Sequence, residues 1–318
     1  MSHPEAFITA EDLVRFGHLE LLARKVVEGY ITGLHKSPYH GFSVEFAEHR
    51  AYNPGDPIRF LDWKVLARTD KLFIKKFEEE TNLRCRLVLD ISGSMYYPFQ
   101  GDLAVTKYAF SALAAASLAE LLAQQRDAVG LTLVDDQIRY HGPARSSRTH
   151  LRQVFTELEK RLNPGSTQAL QTTALAQHLH EVAENIPARS MVILFSDLMA
   201  GLSQELSLKQ ALRPLLDALG HLVFRKHEVI VFHVVDASTE FYLQFENRPY
   251  EFEDAESGQK IRLNPVEVQR EYQALTEEFE SLMRVECTQL GIDFHPADIR
   301  GGLHQVLHRF MLRRQMMF

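Results

Sequence analysis

The 318-residue chain is 45% hydrophobic and 24% charged, a globular balance that excludes disordered, collagen-like and rod-forming classes. Its 35 basic and 42 acidic side chains leave a net charge of -7, the wrong sign for a protein whose main partner is nucleic acid. The longest apolar runs, at 113–116 and 191–195, fall far short of the roughly 18 to 20 residues that cross a bilayer, and no basic-then-apolar leader opens the sequence. The expectation is a cytoplasmic protein with no membrane span. Cys85 and Cys287 lie far apart without C-x-x-C spacing, which predicts reduced packing residues rather than a disulfide or a zinc ribbon.

Texture divides the chain at about residue 82, into a module of residues 1–82 and a larger domain of residues 83–318. The module opens with a helix, marked by Leu13, Phe16, Leu19, Leu22 and Val26 at three- and four-residue spacing. Pro38, Gly41, Pro54, Gly55 and Pro57 then punctuate a stretch in which Phe42, Val44 and Phe46 alternate, which predicts short strands and turns. The larger domain alternates strands (84–89, 128–134, 191–195, 229–235, 292–294) with helices (102–124, 147–162, 173–185, 204–219, 265–290, 303–313), the rhythm of an α/β fold with a mainly parallel sheet. Residues 137–140 read as an antiparallel partner of the second strand. Residues 242–263, carrying Tyr250, Phe252 and Ser257-Gly258, read as an inserted hairpin.

In such sheets ligands bind beyond the carboxyl ends of the strands. The first strand of the larger domain ends in Asp90-Ile91-Ser92-Gly93-Ser94, which places one carboxylate and two hydroxyls in a tight turn. The strand at 191–195 ends in Ser196-Asp197 and brings a second carboxylate to the same edge. Thr172 and Thr173 stand where the helix before that strand begins, so one of them is expected to cap it. Small oxygen ligands with few formal charges suit a hard divalent cation such as Mg²⁺.

The order Asp-x-Ser-x-Ser, then Thr, then Asp resembles the metal ion-dependent adhesion site of von Willebrand factor A domains. Asp90, Ser92, Ser94 and Asp197 match it residue by residue. Thr173 fits best as the threonine, from its distance to Ser196-Asp197 and the Ala-Leu-Ala that follows it, with Thr172 and Thr167 as alternatives. The resemblance implies a von Willebrand factor A-type sheet flanked by helices. It also implies Ser92, Ser94 and Thr173 as direct metal ligands, and Asp90 and Asp197 as direct or water-mediated ones. Mg²⁺ is the expected cofactor, with Mn²⁺ or Ca²⁺ as alternatives, and one coordination position is left for an Asp or Glu of a partner.

Residues 33–77 are similar to the bacterial family catalogued as domain of unknown function fifty-eight, through Gly41, Glu45, Phe46, Arg50, Tyr52, Gly55-Asp56, Asp62-Trp63, Ala67-Arg68, Lys71 and Lys75. That resemblance implies a non-enzymatic protein-binding factor working with a MoxR-type AAA+ ATPase in assembly, maturation or activation of a client protein complex. Longer members of that family carry membrane helices before this region.

Two other readings compete: a metal-dependent hydrolase or phosphatase in the same pocket, and a structural adaptor with a stabilising metal. A strand-end Asp also opens haloacid dehalogenase-like phosphatases, but these need a second Asp where Ser92 stands. No G-x-S-x-G elbow and no P-loop string occur, and no catalytic residue is assigned. Among fifteen histidines, His304 with His308 and His178 with His180 have the spacings closest to a metal pair, the second split across its helix. Arg145, Arg148 and Arg152 form a local basic patch, Asp135-Asp136 reads as a hairpin turn, and Trp63 reads as module packing.

Overall fold

The computed structural model describes residues 18–35, 49–51, 73–75, 83–98, 105–162, 174–199, 207–255 and 258–315. The chain forms two units, one of residues 33–82 and one that joins residues 1–32 to residues 83–318. The first helix, α1 (Leu19–His35), therefore groups with the larger unit rather than with the module expected to span residues 1–82. Its spacing explains this, since Leu19, Leu22, Ala23 and Val27 make one stripe that is buried in the core of the larger unit. Leu13 and Phe16 lie outside the described residues, as do Trp63 and most of the other residues quoted from 33–77. In the smaller unit, β1 (His49–Ala51) pairs antiparallel with β2 (Phe73–Lys75).

The larger unit is built on a six-stranded sheet. Its strands are β3 (Arg84–Asp90), β4 (Ala128–Val134), β5 (Ile138–His141), β6 (Met191–Ser196), β7 (Glu228–Val235) and β10 (Asp293–Asp298). They lie in the order β10-β7-β6-β3-β4-β5, parallel except for β5, which pairs antiparallel with β4. This is the mainly parallel α/β architecture that the alternating rhythm predicts. The central strands are buried on both faces, which is why they read as unbroken apolar runs.

Helices cover both faces. Residues of α1, α2 (Lys107–Gln124), α3 (Arg148–Glu159) and α7 (His304–Gln315) make one core with the sheet. Residues of α4 (Leu175–Asn185), α5 (Leu208–Phe224) and α6 (Pro265–Leu290) make the other. Local chemistry fixes several helix starts. Thr106 Oγ1 accepts from Ala109 N at 3.0 Å, Ser207 and Gln210 form a reciprocal capping box, and Asn264 caps α6 ahead of Pro265. Gly291, at φ 73°, ends α6 in the left-handed conformation that glycine adopts without strain.

The hairpin expected near 242–263 is present as β8 (Tyr250–Glu253) and β9 (Lys260–Leu263). A π-turn, Ala237–Phe241, precedes it directly after β7. Among the described residues no helix is long and apolar enough to cross a membrane. Cys85 and Cys287 are both buried and are not joined in a disulfide.

Candidate metal centre

The strand order reverses at β3: the chain crosses from β3 to β4 on one side, then returns to place β6 on the other. A crevice therefore opens beyond the carboxyl ends of β3 and β6, where such sheets bind ligands. Asp90 ends β3 and Asp197 follows β6, so the two carboxylates predicted from strand endings meet at this crevice.

Asp90 is fully buried and takes two hydrogen bonds: Ser92 N donates to Oδ1 at 2.9 Å and Ser196 Oγ donates to Oδ2 at 2.7 Å. Ser92 starts the short 3-10 turn Gly93–Tyr96, which carries Ser94 back beside it, with the hydroxyl oxygens 3.2 Å apart. Adjacent ligands of an octahedral Mg²⁺ at its usual bond lengths lie about 3 Å apart, so the two hydroxyls fit neighbouring coordination positions. Asp197 is held by Met199 N, which donates to Oδ1 at 3.3 Å. Between them Leu198 has φ 56°, a left-handed backbone that costs a non-glycine residue about 1 to 3 kcal/mol. Its fully buried side chain and the bond from Leu198 N to Ser196 Oγ (2.9 Å) hold it there.

Sequence reasoning missed two members of this site. Lys107, in the first turn of α2, is fully buried and donates from Nζ to Asp197 Oδ2 at 2.7 Å and also to Glu240 Oε1. Glu240 comes from the π-turn; its Oε2 accepts from Asp236 N at 2.8 Å, and its carbonyl accepts from Tyr272 OH on α6 at 2.8 Å. One signal for Lys107 was present. Its helix is apolar on every face, and a lysine in so buried an element needs an anionic partner.

The electrostatics follow from this packing. Burial raises Asp90, the charge of Asp197 adds to the effect, and its carboxyl is pushed up to about 6. Burial acts the same way on Asp197, but the Lys107 ammonium overcomes it and holds Asp197 below the usual carboxylate range. Burial opposes the charge on Lys107, yet Asp197 and Glu240 together raise its pKa. Glu240 is raised by burial. His233, opposite Ser196 on β7, is pushed down to about 4 by burial and stays neutral near pH 7. With Asp90 ionised, Asp90, Asp197 and Glu240 carry three negative charges against the single charge of Lys107, which bonds only the latter two.

Among the described residues no three His, Cys, Asp or Glu side chains converge into a metal-ready cluster. A cation here would depend on hydroxyls, as the Asp-x-Ser-x-Ser reading requires. Ser92 and Ser94 could hold it directly, with Asp90 and Asp197 reaching it through water because their oxygens already accept bonds from the protein. Thr167, Thr172 and Thr173 lie outside the described residues. The expected threonine cap is replaced: Ala174 is the N-cap of α4, without a side-chain bond, and its amide donates to Asp135 O at 2.9 Å.

Other singled-out residues are accounted for locally. Asp135 takes bonds from Gln137 N and Arg139 Nε at the β4–β5 turn, as a hairpin reading predicts. Arg148 pairs with the buried Glu120 at 2.8 Å, and Tyr30 OH lies 3.5 Å from His308 Nδ1.

The sequence pattern of the family described as "Protein of unknown function DUF58" matches residues 48–286, three quarters of the chain. The chain belongs to the DUF58 family. This DUF58 protein is 26% identical over 222 residues to the uncharacterized protein Rv1480 of Mycobacterium tuberculosis and to its counterpart Mb1516 of Mycobacterium bovis. The match covers 69% of the chain but 63% of the relatives' length. Among solved structures it is similar to the conserved hypothetical protein BatB from Bacteroides thetaiotaomicron, at 15% identity and a TM-score of 0.41, over 71% of this chain and 98% of that one. It is also similar to the SpRpn10 VWA domain, at 9% identity and a TM-score of 0.37, over 71% and 95%.

Proposed function

We propose that this DUF58 protein is a non-enzymatic, Mg²⁺-dependent protein-binding factor, in which a cation at the β3–β6 crevice receives an Asp or Glu carboxylate from a client protein. The observation that carries this reading is the pairing of the Ser92 and Ser94 hydroxyls, 3.2 Å apart, beside the buried Asp90 and Asp197. Neutral hydroxyls leave a bound cation electron-poor, so an incoming carboxylate gains more than it would at a site saturated with charge. Thr173 is the proposed third hydroxyl ligand.

The enzyme alternatives lack their proton acceptor. A phosphatase of the strand-end Asp type has no acid/base at Ser92. A Ser–Lys hydrolase would need a lysine of depressed pKa, whereas Lys107 is raised and bound by two carboxylates. The partnership with a MoxR-type AAA+ ATPase and the role in assembling, maturing or activating a client complex rest on the family resemblance, and a cytoplasmic location is part of the same proposal. A pull-down from native lysate tests the reading, with wild type and Asp90→Ala as baits, in Mg²⁺ and in EDTA. Capture of an ATPase or client only by wild type and only in Mg²⁺ supports it. Capture indifferent to both EDTA and the substitution contradicts it.

A further inference from the structure

We propose a second cation site, different in chemistry from the strand-end crevice, formed by His180 on α4 and His221 on α5 and suited to borderline divalent ions such as Zn²⁺, Ni²⁺ or Cu²⁺. The spacing of His178 and His180 points to neither partner. His178 turns into the core, and His180 faces outward to meet a histidine 41 positions away.

The two Nδ1 atoms lie 2.9 Å apart, with ring centroids at 5.1 Å and the planes tilted by 42°. Glu184, one helical turn beyond His180, places Oε1 3.0 Å from His221 Nε2, and Arg225 approaches the other carboxylate oxygen at 3.7 Å. The negative charge 3.0 Å from Nε2 favours the tautomer of His221 that is protonated there, which leaves its Nδ1 lone pair toward His180. This carboxylate–imidazole arrangement is the usual outer support of a metal-bound histidine. Two imidazole nitrogens on one tetrahedral Zn²⁺ at the usual bond length sit about 3.3 Å apart, so loading needs only a slight opening of the pair. His180 then carries its proton on Nε2, a tautomer change that releases no proton overall. The frame is rigid, because α4 and α5 pack through Leu179, Val182, Leu219 and Leu222 in one buried core. His180 is exposed and His221 half-buried, so water fills the remaining coordination positions. Mg²⁺ prefers oxygen ligands and does not compete here.

The test is a Zn²⁺ titration of the full, metal-stripped chain against a chromophoric chelator. Wild type is expected to take up one equivalent more than the double variant His180→Ala/His221→Ala. Glu184→Ala is expected to bind that equivalent about tenfold more weakly, and Asp90→Ala to bind it as wild type does. Equal uptake by wild type and the double variant would overturn the site, and an unchanged affinity in Glu184→Ala would overturn the carboxylate-held tautomer on which it rests.

Discussion

Lys107 and Asp197 form a buried ion pair at 2.7 Å, and the same ammonium reaches Glu240 in the turn after β7. One side chain thus neutralises part of the crevice and ties it to the turn after β7, which Tyr272 anchors to α6. Lys107→Met leaves Asp197 and Glu240 without their cation. A loss of about 3 to 5 kcal/mol is expected, read from urea unfolding. Mg²⁺ should raise the melting temperature of this variant more than that of wild type, because a bound cation replaces part of the missing charge. Equal stability of variant and wild type would mean that the pair is dispensable.

Asp90 gives a pH signature. Its folded pKa, about 6, lies above the unfolded value, so the folded state favours the protonated form. The stabilisation is present below about pH 4 and is lost as pH rises through the folded value. Asp90→Asn stays neutral throughout, and the Ser196 hydroxyl can rotate to accept from its amide. In EDTA its stability relative to wild type should therefore climb by about 2 kcal/mol between pH 4 and 7. Mg²⁺ should narrow that gap. Denaturant midpoints of the two proteins across this range provide the check, and a gap independent of pH argues against a strained carboxylate.

Gly130 on β4 lies against the guanidinium of the buried Arg86, which donates to Leu131 O, Thr132 Oγ1 and Gly142 O. A Cβ at position 130 would stand 2.7 Å from Arg86 Cζ, and the pinned guanidinium has little room to retreat. Gly130→Ala should cost about 1 to 3 kcal/mol by overpacking. Thermal unfolding tests this, with Gly29→Ala, where a Cβ meets nothing within 4 Å, as the tolerated control.

Much of this architecture was legible in the chain. The apolar runs of β3, β4, β6 and β7 announced strands buried on both faces, and strand endings alone brought Asp90 and Asp197 to one edge. What stayed hidden depends on contacts distant in sequence. Lys107 and Glu240 lie 133 positions apart and meet only because α2 and the π-turn close over the same strand ends. His180 and His221 share no motif and become neighbours only when α4 packs on α5. The grouping of α1 with the larger unit was hidden for a similar reason, since an amphipathic stripe says that a helix must be covered but not which core covers it.

The central claim is that the Ser92 and Ser94 hydroxyls hold a divalent cation. Its most direct test is Mn²⁺ titration followed by electron paramagnetic resonance, comparing wild type with Ser92→Ala/Ser94→Ala and with His180→Ala/His221→Ala to separate the two sites. Wild type should sequester one Mn²⁺ that excess Mg²⁺ displaces, the serine variant should lose it while remaining folded by circular dichroism, and the histidine variant should keep it. A folded serine variant that sequesters Mn²⁺ as wild type does would contradict the claim.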